Sequence, residues 1–340
     1  METVGSGSLV GRLIDDRYRI DALVGQGAAG AVYRAVERDS GRVLALKQWH
    51  RSALDAQVRG RFLREAKALD TLDHPNIVEV FGHGFVDDVP YVALEYLEGT
   101  TLESRLAEGP LAPEQAFDII RQALTAIAYA HERSVVHRDL KPENIFLVPT
   151  PDGGYRVKIL DYGLAKFMTP TEDPTSGGAA LTVTGMMVGT PLYMPPEQAA
   201  GSSVDLQVDV YAMGCVLFEV LTGRPPFLGE THLELIGAHL RAPIPQLDAH
   251  LKDARAVPEL QDVVDHALAK KQMERYPSAR AMLEALVAVP QPAILPGEAA
   301  AEDAETVAEA AAEAEQGSLG TLVVAAAIAA AVAVAFALLR

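Results

Sequence analysis

Apolar residues across 18–24 form a strand that runs into a glycine-spaced turn, Gly25, Gln26, Gly27, Ala28, Ala29 and Gly30, and Val32, Tyr33, Arg34, Ala35 and Val36 leave it as a second strand. After Gly41 the run Val43, Leu44, Ala45, Leu46 predicts a third strand that ends on Lys47. Phe62, Leu63, Ala66 and Leu69 recur at helical spacing over 58–72, with Glu65 among them, before Pro75 breaks the helix and Ile77 opens another strand. Residues 91–99 read as a strand passing into a linker at Gly99. Pro113 suits a first helical turn, and Phe117, Ile120, Leu124 and Ile127 continue that helix to His131. Residues 145–148 and 156–160 flank a Pro/Gly turn and predict a hairpin ending at Asp161, Tyr162 and Gly163. From there to Pro195 the chain is rich in Thr, Pro, Gly and Ser and reads as a long loop. Residues 205–221 are apolar nearly all round and stop at Gly223, the pattern of a buried helix.

The chemistry concentrates in His137, Arg138, Asp139, Leu140, Lys141, Pro142, Glu143 and Asn144, between the long helix and the hairpin. Asp139 can accept the proton of an attacking hydroxyl, Lys141 can neutralise charge on a moving phosphoryl group, and Asn144 offers a hard oxygen to Mg²⁺. The same string also reads as a polar turn between a helix and a strand. Closely spaced glycines let backbone N–H groups approach phosphate oxygens. In a dinucleotide-binding fold a helix would follow them, whereas here a strand follows. Lys47 is either a surface lysine at a strand end or a partner for phosphates. Asp161 closes its hairpin as a second candidate ligand for Mg²⁺. His74 has no metal-spaced partner and reads as structural.

Motif by motif and in order, residues 18–288 resemble the eukaryotic-like (Hanks-type) serine/threonine protein kinases of bacteria. The resemblance implies an α+β, bilobal protein-kinase fold, with a small β-rich lobe over about 18–97 and a large helical lobe over about 98–288. It implies ATP held by Gly25, Gln26, Gly27, Ala28, Ala29, Gly30, Val32, Ala45, Lys47, Leu94, Glu95, Leu97 and Phe146, with Leu94 at the back of the pocket and the adenine meeting the main chain of Glu95 and Leu97. It makes Asp139, Lys141, Lys47 and Glu65 the catalytic set, Glu65 pairing with Lys47 in the active state. Asn144 and Asp161 would hold Mg²⁺, with Mn²⁺ as the alternative. Gly189, Thr190, Pro191, Leu192, Tyr193, Met194, Pro195, Pro196 and Glu197 resemble the substrate-docking segment, with Pro195 where the family has alanine. Tyr162 stands where the family usually has phenylalanine. Thr182 and Thr184 fall where bacterial relatives carry autophosphorylation sites, and a phosphate there would face Arg138 and Lys166. Thr190 would orient Asp139, Asp209 would brace the catalytic loop, and Arg275 would pair with Glu197. Lys141, two residues after Asp139, implies Ser/Thr rather than Tyr specificity.

Composition narrows the partners. A chain of 340 residues that is 49% hydrophobic can build two cored lobes, and a formal net charge of −17 argues against nucleic acid. Glu298, Glu302, Asp303, Glu305, Glu309, Glu313 and Glu315 carry seven of those charges, leaving −10 for the rest. They lie in the acidic Ala/Pro-rich linker expected over 289–318. The single cysteine, Cys215, fits a reducing compartment and a buried position. Residues 1–17 are an N-terminal tail whose first ten residues carry no signal pattern, so the N-terminus is not expected to be exported. Residues 319–339 hold no charge and are long enough to cross a bilayer. A helix buried against the kinase competes with that reading. With only Arg340 beyond, the expectation is a single-pass cell-membrane anchor without an extracellular domain, the kinase facing the cytoplasm.

The expected partners are protein substrates, with the membrane through 319–339 and a homodimer for autophosphorylation left open. Two rivals remain at this level. A scaffold that only binds nucleotide would lack Lys47, Asp139 or Asp161, and all three are present. A small-molecule kinase would lack a polypeptide platform at 189–197.

Overall fold

The computed structural model describes residues 9–27, 30–49, 56–162, 191–202, 205–251 and 254–296. The first lobe is a six-stranded antiparallel sheet of β1 (Leu13–Ile14), β2 (Tyr18–Gln26), β3 (Gly30–Glu37), β4 (Val43–Trp49), β5 (Val80–Val86) and β6 (Val89–Glu95), in the spatial order β1-β2-β3-β4-β6-β5. Burial alternates along β3, and along β4 as far as Lys47, because successive side chains leave opposite faces of a strand. Tyr33, Ala35, Leu44, Leu46, Tyr91 and Ala93 fill a small core on one face. Val32, Ala45, Lys47 and Leu94 occupy the other face, in the cross-strand pairs Val32–Lys47 and Ala45–Leu94. Gly30 is fixed by contact: a Cβ there would stand 2.1 Å from the Gln48 carbonyl oxygen.

Helix α1 (Ala56–Leu69) packs on the sheet through Phe62, Ala66 and Leu69, with Phe62 edge-on to Trp49 and Phe85. It ends three residues before the expected limit of 72, because Thr71 and Leu72 turn their N–H groups back to the carbonyls of Ala68 and Leu69. The expected strand at Ile77 is a single parallel bridge to Ile159; β5 starts at Val80.

Beyond β7 (Thr100–Thr101) and α2 (Leu102–Ala107), α3 (Pro113–His131) occupies the span its periodicity predicts. It packs against β9 (Tyr155–Ile159), which forms a three-stranded sheet with β8 (Ile145–Pro149) and β7. After the short α4 (Pro196–Ala199), α5 (Gln207–Thr222) is buried on nearly every side and stops at Gly223, whose φ of 75° suits glycine. Helices α6 (His232–Arg241), α7 (Pro258–Ala267) and α8 (Ala279–Ala288) complete the lobe, with β10 (Ala254–Ala256) paired to β11 (Ile294–Pro296). The connector between α1 and β5 joins the lobes. Asn76 accepts from Ile159 N at 2.8 Å and donates its amide to Val157 O at 2.9 Å, and Val78 N donates to Ile159 O at 3.1 Å.

No helix among the described residues is long and apolar enough to cross a membrane. Residues 319–339, where the sequence places that span, lie outside them.

Candidate active site

The loop that follows α3 is built around Asp209, which is 1% exposed on α5. Its carboxylate accepts from His137 N at 2.8 Å, Arg138 N at 2.7 Å and His131 Nε2 at 2.9 Å. Burial by itself would raise this carboxyl, but the His131 hydrogen bond and charge, with the loop amides, outweigh it and hold the group below the usual range. Arg138 sits at φ 65°, a conformation rare for a side-chain-bearing residue, and the bond to Asp209 holds it there. His137 Nε2 donates to Leu160 O at 2.7 Å, so its Nδ1 is the acceptor for Asp139 N at 3.2 Å. The loop is thus fixed from α5 on one side and from the end of the β9 segment on the other.

Asp139 and Asn144 are coupled directly. Asn144, 6% exposed, donates its amide to the main-chain oxygen of Asp139 at 2.7 Å and to Oδ2 at 3.1 Å. Lys141 Nζ lies 3.7 Å from Asp139 Oδ2. Leu160 N donates to Asn144 O at 2.9 Å, which brings the residue before Asp161 onto the same loop. Asp161, at φ 55°, reaches up to Lys47 on β4 and accepts from its ammonium.

That contact stands in place of the pair expected for the active state. Glu65 does not meet Lys47: it is exposed on α1, and the lysine is paired with Asp161 instead. The buried stripe of α1 is Phe62, Ala66 and Leu69, and a 100° step per residue leaves Glu65 at the edge of that stripe. With the glutamate turned away, the half-buried ammonium takes the nearest carboxylate.

Above this cluster Gly25 and Gly27 have open space where a Cβ would stand, and Gly27 N donates to Gly30 O at 2.9 Å. Gln26 pairs with Ala31 at the root of the turn. Val32, Ala45 and Leu94 present the half-buried face of the sheet, and Phe146 on β8 faces away from the buried Ile145 and Leu147. Glu95 ends β6 and Leu97 follows, both half-buried. Behind Leu94 a small cavity is lined by Leu69, Leu72, Ile77, Val78, Val80, Asp161 and Tyr162. Ala28, Ala29, Lys166, Thr182, Thr184 and Thr190 lie outside the described residues.

The Tyr162 ring packs on His137 with centroids 4.7 Å apart, and its buried hydroxyl finds no partner among the described residues. Burial, with Asp209 nearby, pushes that hydroxyl well above its ordinary range. An unpaired buried hydroxyl costs about 1–3 kcal/mol. Tyr162→Phe is therefore expected to raise the free energy of unfolding by about 1 kcal/mol in urea melts; a loss of stability would show that the hydroxyl has a partner.

The expected docking segment, described from Pro191, leads into α4. Tyr193 Oη donates to Glu219 Oε2 at 2.6 Å. Glu197, 7% exposed, accepts from Arg275 Nη1 at 2.7 Å and Nη2 at 2.8 Å. Arg275 also donates through Nε to Ala269 O at 2.7 Å. The sequence reading missed His239, buried on α6, with Nδ1 2.9 Å from Tyr211 Oη and its ring 5.0 Å from Phe227. Burial, assisted by Lys270, pushes this imidazole down to about 4. Between pH 6.5 and about 4 the unfolded chain binds a proton that the folded chain refuses, so stability falls as pH drops through that window, by up to about 3 kcal/mol. His239→Gln should remove this acid slope from denaturant melts taken at pH 7 and pH 4.5; an unchanged slope would contradict the assignment.

The geometry defines a two-lobed α+β protein whose charged residues converge between the lobes from four different segments. A family model for the protein kinase domain matches residues 18–287, and the chain belongs to that family. It is 38% identical over 292 residues to the serine/threonine-protein kinase pkn3 of Myxococcus xanthus, covering 85% of this chain and 53% of the relative. It is 37% identical over 276 residues to the serine/threonine-protein kinase PrkC of Bacillus subtilis, covering 81% of this chain and 40% of the relative. The chain thus spans about half the length, or less, of these curated relatives. The crystal structure of the Mycobacterium tuberculosis PknI kinase domain superposes with a TM-score of 0.64 at 26% identity, over 82% of this chain and 99% of that one.

Proposed function

We propose that the chain is a serine/threonine protein kinase, moving the γ-phosphoryl group of ATP to Ser or Thr hydroxyls of proteins. The observation that carries the reading is that Asp139, Lys141 and Asn144 cluster on one loop, which is tied through Leu160 to the segment whose Asp161 meets Lys47. The donor set fits both ligands. Asn144 spends its amide nitrogen on Asp139 and keeps its amide oxygen, and Asp161 brings a carboxylate, which suits a hard divalent cation. Bound there, Mg²⁺ (or Mn²⁺) would neutralise charge on the nucleotide phosphates. The open side of Gly25 and Gly27 leaves room for phosphate against the backbone, and Val32, Ala45, Leu94 and Phe146 offer apolar faces to adenine.

In this reading Asp139 orients the substrate hydroxyl and accepts its proton, while Lys141 meets the charge that develops on the transferred group. Lys47 passes from Asp161 to the α- and β-phosphates when α1 turns Glu65 inward, which frees Asp161. The arrangement with Lys47 on Asp161 is then a resting state. Autophosphorylation at Thr182 or Thr184 would supply a phosphate for Arg138 and Lys166, and Thr190 would orient Asp139. A homodimer would let one copy phosphorylate another. Residues 319–339, apolar and uncharged, support a single-pass anchor in the cell membrane with the kinase on the cytoplasmic side, where ATP is.

The reading is tested by incubating the full chain with γ-labelled ATP, Mg²⁺ and a generic protein substrate, followed by phosphoamino-acid analysis. Label on serine and threonine is the expected result. Label confined to tyrosine, or none on protein, would contradict it.

A further inference from the structure

Lys158 belongs to none of the roles above, yet it is one of the few buried charges among the described residues, 8% exposed on β9. A buried ammonium is costly unless it is paired and its hydrogens are used. Lys158 Nζ donates to Glu95 Oε2 at 2.6 Å and to Ile77 O at 3.2 Å. Glu95 Oε2 also accepts from Glu79 N at 3.4 Å, and Glu95 N donates to Glu79 O at 2.9 Å. The residue that closes β6 is therefore held through its side chain by two donors and through its own amide by a third contact. Ile77 lies in the connector that bridges to Ile159, next to Lys158 on the same strand. One ammonium thus ties together the end of β6, the connector from α1 and the strand that leads to Asp161.

We propose that Lys158 is a positioning residue for the adenine end of the nucleotide. By clamping the Glu95 carboxylate against β9 and the Ile77 carbonyl, it fixes the main chain of Glu95 and Leu97 before the nucleotide arrives. The clamp acts on the Glu95 side chain, whereas the adenine is read as meeting the main chain, so the ammonium works through Glu95. Its effect is preorganisation: without it the segment must be ordered on binding, and affinity falls by that amount. The inference rests on the reading of the cleft as an ATP site.

Affinities of the full chain for ATP and for adenosine, measured by calorimetry on the wild type, Lys158→Met, Lys158→Arg and Glu95→Gln, test it. Lys158→Met should weaken ATP and adenosine by the same factor, about tenfold, the size of one lost hydrogen bond to a charged group. Lys158→Arg should recover most of that loss, since it restores a donor at the same place. Glu95→Gln keeps an acceptor and removes only the charge, so a smaller equal loss for both ligands is expected; this variant decides the matter if Lys158→Met does not fold. Adenosine affinity unchanged in both Lys158→Met and Glu95→Gln would overturn the proposal, even with a lower melting temperature, and leave Lys158 a brace of the fold. A loss confined to ATP would also overturn it, placing the effect at the phosphates. A wild type that binds neither ligand would overturn the ATP-site reading itself.

Discussion

Asp139→Asn is expected to lower kcat for phosphoryl transfer to a protein substrate by about 10²–10⁴-fold, the usual worth of a positioned proton acceptor. The substitution is nearly isosteric and keeps the side-chain oxygen that can accept from Asn144, so the loop should hold its shape. What it removes is the basic carboxylate, which lies 3.7 Å from Lys141 Nζ. The loss should fall equally on kcat and kcat/KM, because an interaction made only in the transition state does not alter ground-state binding. Steady-state kinetics with ATP varied against a fixed protein substrate separate the two. A kcat within a few-fold of the wild type would remove Asp139 from the chemistry.

Arg275→Met is expected to cost about 3–5 kcal/mol of stability, the penalty for leaving one member of a buried ion pair alone. The carboxylate of Glu197 would lose both guanidinium donors, and the carbonyl of Ala269 would lose the Nε bond. Both side chains are nearly inaccessible, so water cannot replace the partner. Replacing both residues, Glu197→Leu with Arg275→Met, should recover much of the loss, since an apolar pair no longer buries a charge. Urea melts of the single and double variants measure this. Because Glu197 lies on α4, into which the segment from Pro191 leads, the single variant should also show poorer use of protein substrate. A single-variant cost below about 1 kcal/mol would place the pair among surface-like contacts.

The contrast between what could and could not be read in advance follows from where the information lies. The span of α3 is legible because Pro113 marks its start and a 3.6-residue period carries it to His131. The end of α5 is legible because glycine, free of a Cβ, takes φ 75° at Gly223 without steric cost. The pairing of Arg275 with Glu197 comes from the resemblance, as does the bond from Asp209 to the loop, and the structure brings both sets of residues together. The partner of Lys47 was not legible. Glu65 sits on a helix whose rotation about its axis decides the contact, and the apolar pattern allows Glu65 at the edge of the buried face in either rotation. Lys158 reads in the sequence as an ordinary polar position in a strand. Its burial arises only when the connector carrying Ile77 folds over β9, a relation between residues 81 positions apart. The Tyr162 hydroxyl was visible as a departure, but that it finds no partner among the described residues depends on packing against His137.

The most direct test of the account is autophosphorylation of the full chain, in lipid, with ATP and Mg²⁺, beside Asp139→Asn and with the phosphorylated positions mapped by mass spectrometry. The account predicts phosphate on Thr182 or Thr184 in the wild type and none in the variant. Equal phosphate in both, or none in a wild type that binds ATP, would contradict it.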